Sequence, residues 1–370
     1  MDRIPVSVPA PPGGPEKLRP WRDDGWWVAR VWMIVGLFAI VTALSSHYVG
    51  VPVRDPHGAW LPRRLAISVG LLVLLAVGDA AVRSRGPGWT PRGTLDVLRA
   101  RWRRPRLTLA VTGLLAYHLV YLCYHNLKSW LVFQEPRDDM LQRWDRWLFL
   151  GHSPAVLLHD LLGQHVAAYV LTAVYVSFSS VVSVSLVAAL VLPVQIRQGY
   201  VYLASAMWVW ILGVGAYYLV PSLGPFSHAP DDFAGLARTM TDDTQAHYLA
   251  QRARLLAQPQ AHDATAQIAA FASLHVAVVL MIVLMARYYG LRRAATVLSV
   301  YLAGTMVATV YLGWHFVVDL AGGVVIAYAA VALGRCTVYP HRGRGDRGRP
   351  HARQTTRAVT TSAGASDISR

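Results

Sequence analysis

Two short polar segments of this sequence combine residue types suited to nucleophilic and acid–base chemistry. The first, FASLHVA, carries Ser273 and His275, and the second, YLGWHFVVDLAGG, carries His315 and Asp319. His315 and Asp319 are four residues apart, so on a helix they share one face, and the carboxylate can accept the proton of one imidazole nitrogen. The other imidazole nitrogen is then left as a nucleophile or a base.

The first segment supplies the partners that such a pair needs. His275, on a different helix, could protonate a departing oxygen, and the Ser273 hydroxyl or the N–H groups at the start of that helix could hold an anion. A nucleophile, an orienting carboxylate, an acid and an anion site together suit attack on a phosphorus atom. Because ionisable residues are costly to place inside a membrane, those found there are functional candidates by default.

The apolar segments that position these residues are long enough to cross a membrane. Of the 370 residues, 54% are hydrophobic and 15% are charged, whereas about a quarter of a soluble protein is charged. A helix needs about 20 residues to span a bilayer, so the sequence predicts an all-α, polytopic transmembrane bundle of about eight spans. The predicted spans are residues 28–45, 65–82, 107–127, 166–193, 200–220, 274–285, 294–311 and 313–333.

The distribution of lysine and arginine predicts that both termini are cytoplasmic. With the N-terminus inside, most of these cations fall on the inner side, as the positive-inside rule requires. The sixth span then runs inward and the eighth begins outside, so both polar segments reach the extracytoplasmic face. A basic composition with many arginines and few lysines is typical of a GC-rich bacterial genome, which indicates the plasma membrane.

The chain divides into four predicted regions. Residues 1–25 form a disordered cytoplasmic lead, 26–127 form N-terminal transmembrane helices, 128–335 form a membrane-embedded catalytic core, and 336–370 form a disordered basic cytoplasmic tail. The basic termini are expected to contact anionic lipid headgroups and not nucleic acid.

An outer loop within the core, residues 221–272, is too long for a simple connection. We expect it to carry amphipathic helices on the bilayer surface, either as a lid over the site or as a segment without a gating role. The residues expected to face the bilayer are Phe233, Leu236, Met240, Leu249 and Leu255.

The two polar segments resemble the motifs of a known family. Ser273-Leu274-His275, and Tyr311 to His315 followed by Asp319, are similar to the second and third motifs of the type 2 phosphatidic acid phosphatase superfamily. The resemblance implies a six-helix core made of the last six spans. It also implies a phosphohistidine at His315, oriented by Asp319, with His275 as the general acid and with no metal or other cofactor.

Two departures from the family pattern indicate a branch. Thr309 stands where the phosphatases usually have an arginine, six residues before His315, and Ala272 stands where they usually have a proline. The missing arginine resembles the inositolphosphotransferase branch, which includes fungal inositol phosphorylceramide synthase, the aureobasidin resistance protein. That branch is also similar in an aspartate-led loop, here Arg143 to Pro154, and in a Pro-rich outer turn, here Pro221 to Phe226.

The resemblance therefore favours an integral-membrane lipid phosphotransferase. Its substrate would be a phospholipid or a lipid-linked phosphate, and its acceptor a lipid hydroxyl, with phosphoinositol transfer as one form. Hydrolysis, in which water is the acceptor, is the alternative function.

The superfamily's first motif supplies cations for the phosphate oxygens and is only partly present. Lys128, one of two lysines in the chain, is followed after six residues by Glu135-Pro136, so glutamate replaces the expected arginine. Arg137, or an arginine of the loop before the second motif, could substitute. The candidate phosphate-binding residues are Ser273, Lys128, Arg252 and Arg254.

Other interpretations of these residues stay open at this point. His118 and His125 are seven residues apart on the third span and could ligate a haem, as in a membrane cytochrome. His275, His315 and Asp319 could instead form a metal triad, or the fold could serve lipid binding or transport without catalysis. The structural alternatives are a helix-packing role for the His315–Asp319 pair, an N-cap role for Ser273, and a Lys128 that reaches the membrane interface.

Overall fold

The structure is a computed structural model that describes residues 25–85 and 89–340. In these ranges every regular element is a helix, as predicted. The helices are α1 (Trp26–Val49), α2 (Pro62–Ser84), α3 (Pro91–Arg101), α4 (Arg104–Trp130), α5 (Asp138–Leu148), α6 (Pro154–Leu162), α7 (Val166–Val191), α8 (Ile196–Leu219), α9 (Pro225–His228), α10 (Met240–Ala257), α11 (Leu274–Tyr288), α12 (Arg292–Tyr311) and α13 (Val317–Val338).

Seven of the described helices are long and apolar enough to cross a membrane, which confirms the predicted polytopic bundle. They are α1, α2, α4, α7, α8, α12 and α13. The predicted sixth span, α11, has only 15 residues and is about 22 Å long, against roughly 30 Å of hydrocarbon in a bilayer. By length alone α11 is therefore shorter than the hydrocarbon layer.

Four of the short helices of the described chain, α5, α6, α9 and α10, lie at one end of the bundle, and α3 lies at the other. Helices α5 and α6 lead from the end of α4 to the start of α7, and α9 and α10 lead from α8 to α11. Helix α12 ends and α13 begins at this same end, which we call the loop-rich end. Both polar segments identified in the sequence therefore lie there.

Helix α13 packs closely on α8 and α11 through small residues. Gly323, Ala327, Ala330 and Gly334 are buried along it. A side chain at Gly334 would overlap the backbone of Ser205 in α8, and one at Gly323 would overlap the carbonyl of Ser273. Inside a membrane, where lipid competes for apolar contact, small residues let helix backbones approach and gain packing energy.

The connection between α1 and α2 is bound to the loop-rich end by Arg54, which is 8% exposed. Its guanidinium donates to the carbonyl oxygens of Ala264 and Pro259, both at 2.6 Å. Its backbone N–H and carbonyl are both bonded at 2.8 Å by the Asn126 amide of α4. The N-terminal helices are thus joined to the segment that precedes α11.

The long loop forms the expected helix, α10, but it packs on the protein more than the sequence predicted. Leu255 is fully buried against Val132 and Ala264, so it does not lie on the bilayer surface. Phe233 and Leu236 pack against the cluster around Trp314. These apolar side chains have protein partners because the loop folds back over the bundle end.

The predicted terminal regions lie almost entirely outside the described residues. For the lead, 1–25, only Gly25 is described, and for the tail, 336–370, only residues 336–340 are. Helix α13 continues to Val338, past the expected tail boundary at 336.

The close approach of α8 and α13 can be tested with a pair of glycine substitutions. Gly334→Leu should force the two helices apart and lower the free energy of unfolding by about 1–3 kcal/mol. Gly36→Leu is the control, because a side chain at this exposed α1 position would meet nothing within 4 Å. Thermal unfolding in detergent, followed by tryptophan fluorescence, measures both, and equal effects would contradict the packing.

Candidate active site

Asp319, His315 and His275 form a continuous series of side-chain contacts at the loop-rich end. Nδ1 of His315 lies 3.3 Å from Oδ2 of Asp319, and Nε2 of His315 lies 3.1 Å from Nδ1 of His275. His315 is 3% exposed and Asp319 is fully buried. The carboxylate therefore fixes the proton of His315 on Nδ1, and it directs Nε2 towards the second imidazole.

The turn between α12 and α13 places His315 in this position. Gly313 adopts a positive φ of 75°, which glycine tolerates without strain. The backbone N–H groups of Trp314 and His315 then both donate to the carbonyl of Thr309, at 2.9 and 3.1 Å. The Thr309 hydroxyl donates to the carbonyl of Met306 in its own helix, so the position where the family usually has arginine holds a short, locally bonded side chain.

The first turn of α13 is capped by two carboxylates. Its N-cap residue, Phe316, has no side-chain acceptor, yet the first N–H groups of a helix need partners. Asp319 Oδ2 accepts from the Phe316 N–H at 2.9 Å. Asp145, from α5, accepts from the N–H groups of Val317 and Val318 at 2.7 and 3.0 Å.

Asp145 is the main positioning residue that the sequence analysis did not identify. It lies in the aspartate-led loop noted there, but no role was assigned to it. The signal that could have found it is the missing cap at Phe316, since a helix start without Ser, Thr, Asp or Asn needs an acceptor from elsewhere. Burial raises the pKa of the Asp145 carboxyl to about 6, while its two backbone hydrogen bonds act in the opposite direction.

Ser273 connects α11 to α13. Its hydroxyl caps α11 by accepting from the Val276 N–H at 3.4 Å, and its own N–H donates to the Asp319 carbonyl at 3.0 Å. The residue is fully buried. Its observed contacts are therefore those of an N-cap, and they bring the first turn of α11 against the first turn of α13.

Lys128 is the predicted cation that the structure brings to the histidine pair. Its ammonium lies 5.6 Å from the ring centre of Tyr217 and 6.0 Å from that of Tyr124. Its charge is within electrostatic range of His275 and His315, although among the described residues no hydrogen bond joins it to either imidazole. Within the part of the chain that the structure describes, no carboxylate forms an ion pair with it, so its charge is available to an anion.

Arg252 and Arg254 occupy different positions from those expected of phosphate ligands. Arg254 forms an exposed ion pair with Asp263 at 2.8 Å. Arg252 is half-buried in a small cavity beside Pro136 and Ser222. The structure does not bring either guanidinium to the histidine pair, because α10 directs both towards the loop segments around it.

An aromatic wall surrounds the histidine pair. The ring of His275 lies 4.8 Å from that of Tyr175 and 4.6 Å from that of Phe178, measured between centroids. Tyr175 in turn stacks on Trp314 at 5.2 Å, and Tyr248 of α10 packs on the edge of Trp314 at 5.9 Å. In the sequence these residues were not distinguishable from the many other aromatic residues of the spans.

Side chains and backbone groups of the loop-rich end hold the turn before α13. They bind its carbonyl oxygens, which no helix satisfies. The donors are the Phe226 N–H to Gly313 at 3.0 Å, the Gln245 amide to Leu312 at 2.8 Å, and His159 Nε2 to Tyr311 at 2.8 Å. Helix α10 therefore contributes directly to the position of the turn that carries His315.

The two histidines considered for haem bind separate neighbours. His118 contacts the Ser68 hydroxyl at 3.3 Å and the Leu114 carbonyl at 2.7 Å. His125 bonds to the side chain of Gln267. As for the metal triad, no group of three or more His, Cys, Asp or Glu side chains among residues 25–85 and 89–340 is arranged to hold an ion.

Comparison with known proteins gives one match. The family model of the PAP2 superfamily matches residues 139–333. This range contains His275, His315, Asp319 and Asp145, and it leaves α1 to α4, with Lys128, outside. No curated protein and no solved structure was found to match the chain.

Ionisation of Asp145 should make the turnover rate depend on pH, with a change near pH 6. Protonation below that pH removes the charge that binds the first N–H groups of α13, so wild-type turnover should fall as the pH drops through about 6. Asp145→Asn cannot ionise, so its pH profile should lack this change. Its rate at pH 8 should be about tenfold lower, since a hydrogen bond to a charged group contributes about 1.5–3 kcal/mol.

Ionisation of Asp145 should change the stability of the fold with pH in the direction opposite to its effect on activity. Because burial raises its pKa in the folded protein, the stabilisation that Asp145 contributes is fully present below about pH 4 and is lost as the pH rises through about 6. Activity lost on acidification without lost stability would support the positioning role. Asp160→Asn, at an exposed site on α6, is the control; a pH profile of Asp145→Asn identical to the wild type would contradict the role.

Proposed function

The chain belongs to the PAP2 superfamily and is an enzyme of phosphatase or phosphotransferase type. We propose that it transfers the phosphate-bearing headgroup of a membrane lipid through a phosphohistidine at His315. The observation that carries this proposal is the unbroken series from Asp319 through His315 to His275. It supplies an oriented nucleophile and a neighbouring acid in a site shielded from water.

In the first step, Nε2 of His315 attacks the phosphorus atom and forms the N–P bond. Asp319 accepts the hydrogen bond of the Nδ1 proton and balances the positive charge that develops on the imidazole. As the bond from phosphorus to the departing oxygen breaks, His275 gives its proton to that oxygen. Because the two imidazoles are 3.1 Å apart, the phosphoryl group must enter between them and displace their contact.

In the second step, a hydroxyl group attacks the same phosphorus atom from the acceptor side. His275, now neutral, takes the proton of that hydroxyl, and the N–P bond breaks to restore His315. The Lys128 ammonium stabilises the negative charge on the phosphoryl oxygens in both steps. Such a fixed cation is most effective where water is excluded, because the local dielectric is low.

Transfer to a lipid hydroxyl is favoured over hydrolysis by the surroundings of the pair. The aromatic wall of Tyr175, Phe178 and Trp314 and the burial of His315 limit access of water. Thr309 has a smaller side chain than the arginine that the phosphatases usually have at this position, and this difference is one reason for proposing a phosphodiester headgroup such as phosphoinositol. The resemblance to the inositolphosphotransferase branch supports the same choice.

Hydrolysis of a phospholipid or polyprenyl phosphate is the second candidate. It uses the same three residues with water as the acceptor, and the family takes its name from phosphatase activity. The two functions differ only in what resolves the phosphohistidine.

We also propose that the site faces the extracytoplasmic side of the plasma membrane. A cluster of arginines lies at the opposite end of the bundle, where Arg101 and Arg106 bind the carbonyl oxygens that end α7. Its position agrees with the positive-inside rule for a cytoplasmic end.

Cysteine labelling in intact cells tests this orientation. Asp160→Cys, at the loop-rich end, should react with a membrane-impermeant maleimide, and Arg292→Cys, at the opposite end, should react only after permeabilisation. Both positions are exposed. The reverse pattern would overturn the orientation.

The main test is product analysis with purified protein in total polar lipid and a chelator. Wild type and His152→Ala, a control at an exposed histidine, should both make a headgroup-exchanged lipid, and His315→Ala should make none. Mass spectrometry of the lipids reads this out. Free phosphate or dephosphorylated lipid that depends on His315 would establish hydrolysis instead, and folded protein with no His315-dependent product would overturn both functions.

A further inference from the structure

A cleft of about 620 Å³ lies between α2 and α7 and opens on the side of the bundle. Residues of α4 and Trp210 of α8 form its floor. Its α2 wall lies outside the range matched by the family model, 139–333. The cleft is therefore a feature of the whole chain and not of the family segment alone.

The end of the cleft nearest the loop-rich end is cationic. Arg63 and Arg64, in the first turn of α2, both line it. The Arg64 guanidinium lies 4.7 Å from the ring centre of Tyr121 and is held there by a cation–π contact. Neither arginine forms an ion pair with a carboxylate among the residues that the structure describes, so both charges are open to an external anion.

The deeper part of the cleft is mainly apolar, with Ser68 and His118 as polar residues of its lining. Ile67 and Leu71 lie one and two turns further along α2, and they face Val182 and Leu186 of α7. A site with paired cations at one end and an aliphatic groove at the other matches an amphipathic ligand with one anionic end.

Two serines add acceptor and donor groups to the α7 wall. Ser179 and Ser180 line the cleft and are exposed, and in the described structure their hydroxyls make no hydrogen bond. A hydroxyl without a partner in hydrocarbon is unfavourable. The ester or hydroxyl groups of a lipid would supply the missing partners.

The cleft shares a wall with the catalytic pair. Phe178 lines the cleft, and its ring also lies 4.6 Å from the ring of His275. A ligand in the cleft is thus separated from the second imidazole by one aromatic side chain.

We propose that this cleft binds a membrane lipid whose anionic headgroup contacts Arg63 and Arg64 and whose chain lies between α2 and α7. The lipid presents its headgroup to the histidine pair past Phe178, so the N-terminal helices select the lipid on which the catalytic core acts. This second clause rests on the proposed function, whereas binding in the cleft does not.

A second lateral groove provides an internal comparison. It lies between α1 and α8, measures about 390 Å³, and has an apolar lining that includes Leu37, Phe38 and Ile211. No charged residue lines it. A lipid attracted only by apolar surface should occupy this groove as readily as the cleft.

Photocrosslinking tests the binding step on full-length His315→Ala in phosphatidylcholine nanodiscs. The probe is phosphatidic acid with a diazirine in one acyl chain, and mass spectrometry identifies the labelled peptides. Labelling is expected in α2 and α7, and it should fall at least fivefold in the Arg63→Gln/Arg64→Gln variant. The Arg143→Gln/Arg146→Gln variant, changed at two exposed arginines of α5, should keep it.

Two outcomes would overturn the binding proposal. One is equal labelling of the cleft by a phosphatidylcholine probe with the same chain, and the other is labelling confined to the groove between α1 and α8. If the double arginine variant does not fold, Ser183→Trp fills the cleft from the α7 side and should give the same loss.

Kinetics of the active enzyme test the selection step separately. Arg63→Gln/Arg64→Gln should raise the KM for an anionic lipid at least fivefold and leave kcat within twofold, because these residues bind the headgroup in the cleft before it reaches the histidine pair. An unchanged KM would overturn the selection role. Cleft labelling that persists in a protein with no His315-dependent product would overturn the proposed function and leave the binding site in place.

Discussion

The structure is organised around one costly arrangement, the burial of a carboxylate beside two imidazoles inside an apolar bundle. Removing Asp319 from water is unfavourable unless its oxygens gain hydrogen bonds and compensating charge. His315 and the Phe316 N–H both bond to Oδ2, while Oδ1 has no hydrogen-bond partner among the described residues. The positive end of the α13 dipole lies next to the carboxylate and compensates part of its charge. Any element that shifts α13 would therefore disturb His315 and Asp319, the proposed catalytic residues, directly.

The surrounding elements can be understood as means of fixing that first turn of α13. Asp145 binds its free N–H groups from α5, and Ser273 connects it to α11. The small residues on α13 let its backbone come close to those of α8 and α11. The loop-rich end then binds the carbonyl oxygens of the preceding turn, so the position of His315, the proposed nucleophile, is fixed from both sides of the turn.

The sequence predicted the spans, and it predicted that His275, His315 and Asp319 lie together, because both features have local signals. Apolar length identifies a membrane helix, and the spacing of His315 and Asp319 identifies a shared helix face. The phosphate-binding set was harder to predict. Lys128 lies by the histidines, but Arg252 and Arg254 follow the direction of α10, and no sequence pattern specifies how an outer loop folds.

Asp145 and the aromatic wall also could not be predicted from the sequence. Their roles depend on contacts between segments far apart in the chain, such as α5 with α13 or α7 with α11. The one indication in the sequence is that Phe316 cannot cap α13, which predicts an acceptor from another segment. Long-range positioning of this kind becomes visible only when the helices are packed together.

The contacts of Arg54 bear on how such a protein can evolve. One side chain between α1 and α2 binds two carbonyl oxygens of the segment that leads into Ser273 and His275, and its backbone is bonded to α4. The first helices are therefore not an independent module that recombination could exchange for another membrane anchor without loss. A replacement for these helices would have to restore a buried guanidinium at the same point. Substitutions in the N-terminal helices and in the segment matched by the family model are therefore expected to depend on each other during evolution.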